Sequence, residues 1–363
     1  MRAWVLAFAL GCALVTAPPA DACCPAPPSG QPAVNTNQTV AIVWDAPTKT
    51  QHFVRRATWK SDAADFGFIV PSPTQPELAE SGDAAFPMLA KLTEPEHVKQ
   101  PRPSAGCGAC GGLARSKSAA PEPQAVAAVT VLEQKTVAGF DAVVLEASSP
   151  TALGTWLKDH GYASSPDIEA WAKPYVEQNW KLTAMKVAKG GGDGGAAPNK
   201  DVGGKDVVAS ALRMSFKTER PLFPYREPEG MTKAGAAAGQ SRLLRVYFVG
   251  DARYEGVLTK ELAWTGRAVW ANKLSPSDRD KLRADLGIVA STSDAWLTEL
   301  EDYWPYRVAP ADVYFEKSAS QTTLKRPPII EYTKNDREED VALAGVIMLV
   351  AAPFLRRRRR DTP

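Results

Sequence analysis

The sequence predicts an α+β protein, mainly antiparallel sheet with several short helices, lying between an N-terminal signal peptide and a C-terminal transmembrane helix. Three observations lead there. Short runs of β-branched and aromatic residues recur between glycine and proline punctuation. Helical stretches are short, and three of them stand behind a Ser-Pro pair. The two kinds of element do not alternate strictly, which favours α+β over a doubly wound parallel sheet. The 363 residues leave room for one large or two ordinary domains, and many of the 30 prolines and 26 glycines fall in two linkers.

Both ends carry targeting chemistry. Met1 and Arg2 precede an apolar run from Ala3 to Val15 and a small, turn-prone segment from Thr16 to Ala22. That is the layout of a signal peptide over 1–22, with Ala20-Asp21-Ala22 as the cleavage site and Cys23 as the first mature residue. A lipidated Cys23 is the competing reading, and Ala20 and Asp21 fit its recognition box poorly. At the other end Glu338-Glu339-Asp340 leads into fifteen apolar residues, Val341 to Leu355, followed by Arg356, Arg357, Arg358, Arg359 and Arg360. A helix of that length spans about 22 Å against a hydrocarbon core of ~30 Å, a gap that arginine snorkelling and local thinning reduce. The arginines belong on the cytoplasmic side, which leaves the body outside the cytoplasm. The same tail also fits a sorting signal that is cut off at the envelope surface. The expected domains are a body at 23–316, a stalk at 317–340, the anchor at 341–355 and a basic tail at 356–363.

Within the body, Val40, Ile42 and Trp44 form a strand that Asp45-Ala46-Pro47 breaks. Gln51 to Trp59 follows as a second strand, with Phe53, Ala57 and Trp59 on one side. Arg55 shares that side, so the face is expected to be incompletely buried. Phe66, Phe68 and Val70 form a third strand, ended by Pro71 and Pro73. Phe86 to Leu92 is a short helix, and 99–124 is a flexible linker. Ala127 to Thr136 and Phe140 to Glu146 are strands turned at Gly139.

Ser149-Pro150 and Ser165-Pro166 open two helices, with Leu153, Trp156 and Leu157 on the first. Ile168, Trp171, Ala172, Tyr175 and Val176 stripe the second, which Pro174 should kink or split. Leu182 to Val187 is a strand whose partner is expected at Val207 to Phe216, across a flexible insert at 189–206. Leu243 to Val249 and Arg253 to Leu258 are further strands. Ser275-Pro276 with Asp278 caps a helix that Gly287 ends, and Ala295 to Trp304 is expected as another helix. Val313 to Phe315 is the last strand of the body.

Four passages together are similar to one bacterial family, the domain of unknown function 2330. They are Ala22-Cys23-Cys24, the strand end from Phe66 to Pro73, the run from Trp156 to Tyr162, and Ser215-Phe216-Lys217-Thr218 with Pro221 and Pro224 behind it. The similarity covers roughly residues 22–260. It implies an exported bacterial protein with a shared body and a variable C-terminal attachment, and brings no catalytic residues with it.

Candidate chemistry is sparse. Cys23, Cys24, Cys107 and Cys110 remain after export, and an even number in an oxidising compartment reads first as disulfides. Three pairings satisfy the count, and crosswise ones would close loops of about 80 residues, contributing up to ~4 kcal/mol. A thiol oxidoreductase using Cys107-Gly108-Ala109-Cys110 is the enzyme alternative, although no strand-to-helix turn surrounds that motif. A zinc site is disfavoured because adjacent cysteines reach one tetrahedral ion poorly. His52, His97 and His160 have no metal-ligand spacing and read as surface or capping residues.

The formal charge of +2 comes from the ends: without Arg2, the tail arginines, Asp21 and Asp361, 37 basic residues face 39 acidic ones. A body near −2 offers nothing to attract nucleic acid. The expectation is a non-enzymatic binding or structural protein with no cofactor, attached to the membrane by its C-terminal helix. Its partner would be an envelope protein or glycan.

Overall fold

The structure is a computed structural model, and it describes residues 24–25, 33–61, 67–101, 128–187, 205–208, 211–229, 241–291, 294–305 and 309–333. The chain divides into two units, Met1–Thr93 with Pro121–Lys325, and Glu94–Ala120 with Arg326–Pro363.

In chain order, β1 (Cys24–Pro25), β2 (Ala33–Asp45), β3 (Thr50–Ser61), β4 (Gly67–Ser72) and β5 (Glu77–Glu80) precede α1 (Ala85–Leu92). Then come β6 (His97–Pro101), β7 (Val129–Val137), β8 (Phe140–Ala147), α2 (Pro150–Asp159), α3 (Pro166–Glu177) and β9 (Lys181–Val187). They are followed by β10 (Lys205–Val208), β11 (Leu212–Lys217), β12 (Leu222–Phe223), β13 (Ser241–Gly250), β14 (Tyr254–Val257) and β15 (Arg267–Lys273). The helix Pro276–Leu286, here α4, leads to β16 (Trp296–Pro305), β17 (Val313–Lys317) and β18 (Ile329–Thr333).

The first unit is a four-layer sandwich. An eight-stranded sheet runs β15-β16-β13-β2-β3-β11-β5, with β10 also on β3. All of its pairs are antiparallel except β2 with β13. Because side chains alternate across a strand, each face collects one parity. Val40, Ile42, Phe53, Met214, Val246 and Phe248 point inward, onto Phe68, Phe140 and Val144 of the five-stranded sheet β1-β4-β9-β8-β7. Phe223, Val313 and Phe315 of the three-stranded sheet β12-β17-β14 join the same core.

The opposite face of the large sheet, with Ala41, Val43, Val54, Tyr247 and Leu297, lies under Phe86 and Leu89 of α1 and Leu282 and Leu286 of α4. The opposite face of the five-stranded sheet, with Ile69, Leu145, Leu182 and Ala184, lies under α2 and α3. The fold is therefore α+β with mixed, mostly antiparallel sheets and, among the described residues, four short helices.

Local chemistry explains the helices. Ser149, Ser165 and Ser275 are extended N-caps that accept from the backbone N–H of Ala152, Ile168 and Asp278, each with proline next in line. Gly161 and Gly287 take the left-handed conformation just past the helix ends, where a Cβ is penalised. The β7–β8 hairpin turns through Ala138 and Gly139, both at positive φ, as a two-residue turn matched to strand twist requires.

Several expectations are corrected. Ala295 to Trp304 is not a helix: β16 pairs with β13 from Trp296 to Pro305 and with β15 from Trp296 to Glu301. Its Glu299 and Glu301 pair with Arg245 and its Asp302 accepts from three neutral donors, so its acids do not mark a solvent-facing side. Leu182 to Val187 does not pair with Val207 to Phe216. β9 joins β4 and β8, while β10 and β11 both join β3 in the other sheet. Pro174 does not split α3, because Tyr175 and Val176 hold the last turn in the core.

Arg55 is buried at 5% exposure with its guanidinium 5.0 Å from the Phe68 ring centroid, so the face is closed at Phe53 and Arg55. β15 was not foreseen; a bulge between Ala268 and Trp270 breaks its period of two.

The segment beyond Lys317 is tied back within the first unit: Ala271 and Leu324 exchange two backbone hydrogen bonds of 2.8 Å, and Gln321 bonds Arg253. In the second unit β18 pairs in parallel with β6, and His97 meets Glu331 at 2.8 Å. Among the described residues no helix is long and apolar enough to cross a membrane. The expected leader and the anchor residues Val341, Leu355 and Arg356 to Arg360 lie outside the described residues.

Candidate functional site

Three polar groupings are built into the first unit. The deepest centres on Asp302 of β16, which has no solvent exposure. Its carboxylate accepts from Tyr225 Oη at 2.7 Å, Trp264 Nε1 at 3.1 Å and Thr265 Oγ1 at 2.7 Å. Trp264 is held in place by two glycines: a Cβ on Gly256 would sit 2.1 Å from its ring, and one on Gly266 2.4 Å. The second is Asp312, which accepts from Tyr175 Oη at 2.8 Å and the Arg226 N–H at 3.1 Å, while Trp171 Nε1 donates to Arg226 O. Burial pushes the Asp312 carboxyl above its usual range. Both arrangements spend their acids on donors of the protein itself, pinning strand to loop and helix to strand.

The third grouping sets a buried acid, Asp45, near the half-buried His52, Arg213 and Ser215. β2, β3 and β11 send Asp45, His52, Arg213 and Ser215 to the helix-covered face, at its rim. The register places His52 between Val43 and Ser215, so the imidazole meets the Ser215 hydroxyl directly, Nδ1 to Oγ 2.9 Å. Asp45 is taken by Ser291, through its hydroxyl and backbone N–H, and by Thr48 Oγ1 at 2.7 Å. Arg213 donates to Leu286 O at 3.1 Å and to Gly287 O, and Ser81 Oγ donates to Leu286 O at 3.0 Å.

A serine beside a histidine raises the question of nucleophilic catalysis. His52 is a weak base here: burial, then the Arg213 cation, hold its pKa at about 4. A general base works best near the operating pH, and Asp45 is occupied by Ser291 and Thr48 rather than orienting the imidazole. The arrangement is suited to holding the 286–291 segment.

Of the residues singled out from sequence, Cys24 lies in β1, opposite Ile69 at the edge of the five-stranded sheet. Cys23, Cys107 and Cys110 lie outside the described residues. His160 caps α2, bonding Trp156 O at 2.8 Å and stacking on the Trp156 ring at 3.9 Å. Trp44, Trp171, Trp180, Trp264 and Trp296 are buried, as core stripes require. Among the described residues no group of three His, Cys, Asp or Glu side chains could hold a metal ion. Asp45, Arg213, Asp302 and Ser291 escaped sequence reasoning because only folding brings their partners to them. The single local signal was the aspartate in the Asp45-Ala46-Pro47 turn.

These features define a class: a layered α+β body whose buried polar side chains are used for its own assembly. The family model for an uncharacterised protein conserved in bacteria (DUF2330) matches residues 18–316, and the chain belongs to that family. No curated protein and no solved structure matches it.

Proposed function

We propose that this protein is exported and held at the membrane by its C-terminal apolar segment, with the body outside the cytoplasm acting by binding or as a structural part of the envelope. The observation that carries the reading is the pairing of a leader with the run Val341 to Leu355 closed by Arg356 to Arg360. The self-satisfied buried acids support a scaffold role over a catalytic one. Cys23, Cys24, Cys107 and Cys110 serve this protein as disulfides in an oxidising compartment. The partner is another envelope protein or a glycan. Tail processing at the envelope surface is the variant of this reading in which the anchor is replaced.

Fractionation of cells expressing the full chain tests it. The protein is expected in the membrane fraction, open to protease added from outside, and deletion of 341–363 should release it to the soluble fraction. A full-length protein protected from external protease would overturn the reading. Non-reducing peptide mapping of the same material gives the bridge pattern and the mature N-terminus.

A further inference from the structure

β15 is an outer strand of the eight-stranded sheet, and an open strand edge is a template for another strand. Other edges of the first unit are blocked where they stand. β5 is four residues long, and Lys135 of β7 donates to its Leu78 O at 2.9 Å. β12 has two residues, and the Gln51 amide takes both the N–H and the C=O of Leu222. β7 carries a bulge between Val131 and Glu133.

β15 is seven residues long, and its stretch Ala268-Val269-Trp270-Ala271 is an uncharged, β-prone run between Arg267 and Lys273. Its outward backbone groups are closed from beyond the sheet. Ala271 and Leu324 exchange two hydrogen bonds of 2.8 Å, and the Lys273 N–H goes to Asn272 Oδ1 at 2.9 Å. Leu324 thus stands in for a neighbouring strand. We propose that residues 318–325 are a releasable strap over the β15 edge, and that the edge they leave pairs with β15 of a second copy of this chain.

The strap is fastened by polar contacts. Gln321 Oε1 accepts from the Arg253 N–H at 2.9 Å, and its Nε2 donates to Arg253 O at 3.1 Å and Ser318 O at 2.7 Å. Arg253 Nη1 donates to Thr322 O at 3.0 Å, and the Ser318 hydroxyl donates to Glu255 Oε2 at 3.0 Å. Residues 319–323 are exposed and Leu324 is half-buried, so lifting the strap uncovers little apolar surface. A segment held in this way opens by itself while the sheet behind it stays closed.

A second β15 fits the vacated edge. An antiparallel, twofold pairing centred on Ala271 restores both of the bonds that Leu324 supplies. In that register Lys273 stands opposite Val269 of the second copy, and Trp270 opposite Asn272, so no like charges meet.

The full-length protein in detergent solution tests the strap by amide exchange and sedimentation velocity. The unmodified chain is expected to be a monomer. Gln321→Ala with Leu324→Pro removes the three glutamine bonds and the Leu324 N–H, and should raise Ala271 exchange about 30-fold in dilute protein. On concentration this variant should form dimers, and the Ala271 amide should regain its protection. A variant that stays monomeric at high concentration overturns the proposal. So does a dimer that leaves Ala271 unprotected, or an unmodified chain that dimerises equally. If the double variant does not fold, Gln321→Ala alone, at an exposed position, decides by the same readings with about a 10-fold rise in exchange.

Discussion

The two faces of the eight-stranded sheet solve the same problem differently. The inner face buries Gln51, Arg55 and Asp302 among aromatic and aliphatic side chains. Gln51 bonds Leu222 through both ends of its amide, each at 2.8 Å, and Asp302 is filled by three donors. The helix face sets buried acids, Asp45 at 3% and Glu299 at 1% exposure, beside the partly exposed cations Arg213 and Arg245. There Arg245 lies between Glu299 at 2.9 Å and Glu301 at 2.8 Å, while Arg213 and Ser81 hold the end of α4 and Asp45 holds Ser291. A polar group sealed between layers must be saturated, because an orphaned partner there meets no water. A polar group at a rim can exchange partners with water and protons. The inner face should thus fail under substitution, whereas the helix face should respond to pH.

The largest effect is expected at Asp302. Asp302→Ala strands the Tyr225 hydroxyl, the Trp264 indole N–H and the Thr265 hydroxyl in the core, and should cost about 4 kcal/mol. Equilibrium urea unfolding measures this. A loss under about 1 kcal/mol would mean that water reaches the site and would end the contrast between the faces. Gly256→Ala probes the same region by volume, since the new methyl would sit 2.1 Å from the Trp264 ring. Overpacking there should cost about 2 kcal/mol in the same assay and change the tryptophan emission.

On the helix face the expected losses shrink. Arg245→Met leaves Glu299, 1% exposed, without its cation, but the arginine side chain is 31% exposed and water can take part of its place. About 1.5 kcal/mol is expected from urea unfolding, below the cost of breaking a fully buried pair. A loss as large as that of Asp302→Ala would show that the two faces are equally sealed.

What could be read from the chain in advance follows from the range of the interactions. The three Ser-Pro caps and the β7–β8 turn are settled within a few residues, and they stand where the sequence puts them. The strand at Leu243 to Val249 was legible because both of its faces are apolar. β16 was misread because its Glu299 and Glu301 look solvent-facing until Arg245, from a distant strand, is placed beside them. Arg55 misled for the same reason, its ring partner Phe68 being on another sheet. The grouping of Asp45, His52, Arg213 and Ser291 draws on β2, β3, β11 and the segment after α4, so no local pattern could have announced it.

The smallest effect is the one that separates the faces most cleanly, because it carries a pH signature. Ser291→Ala removes the hydroxyl from the Asp45 carboxylate. Asp45 lies below the ordinary value in the folded protein, so it stabilises the fold above about pH 3.8, and that stability is lost as the pH falls through its folded value. The variant should be about 1 kcal/mol less stable at pH 7, with the difference closing towards pH 2 as both proteins protonate Asp45. Thermal unfolding across that range checks it. A deficit that stayed constant down to pH 2 would show that the Ser291 hydroxyl does not act through the Asp45 carboxylate.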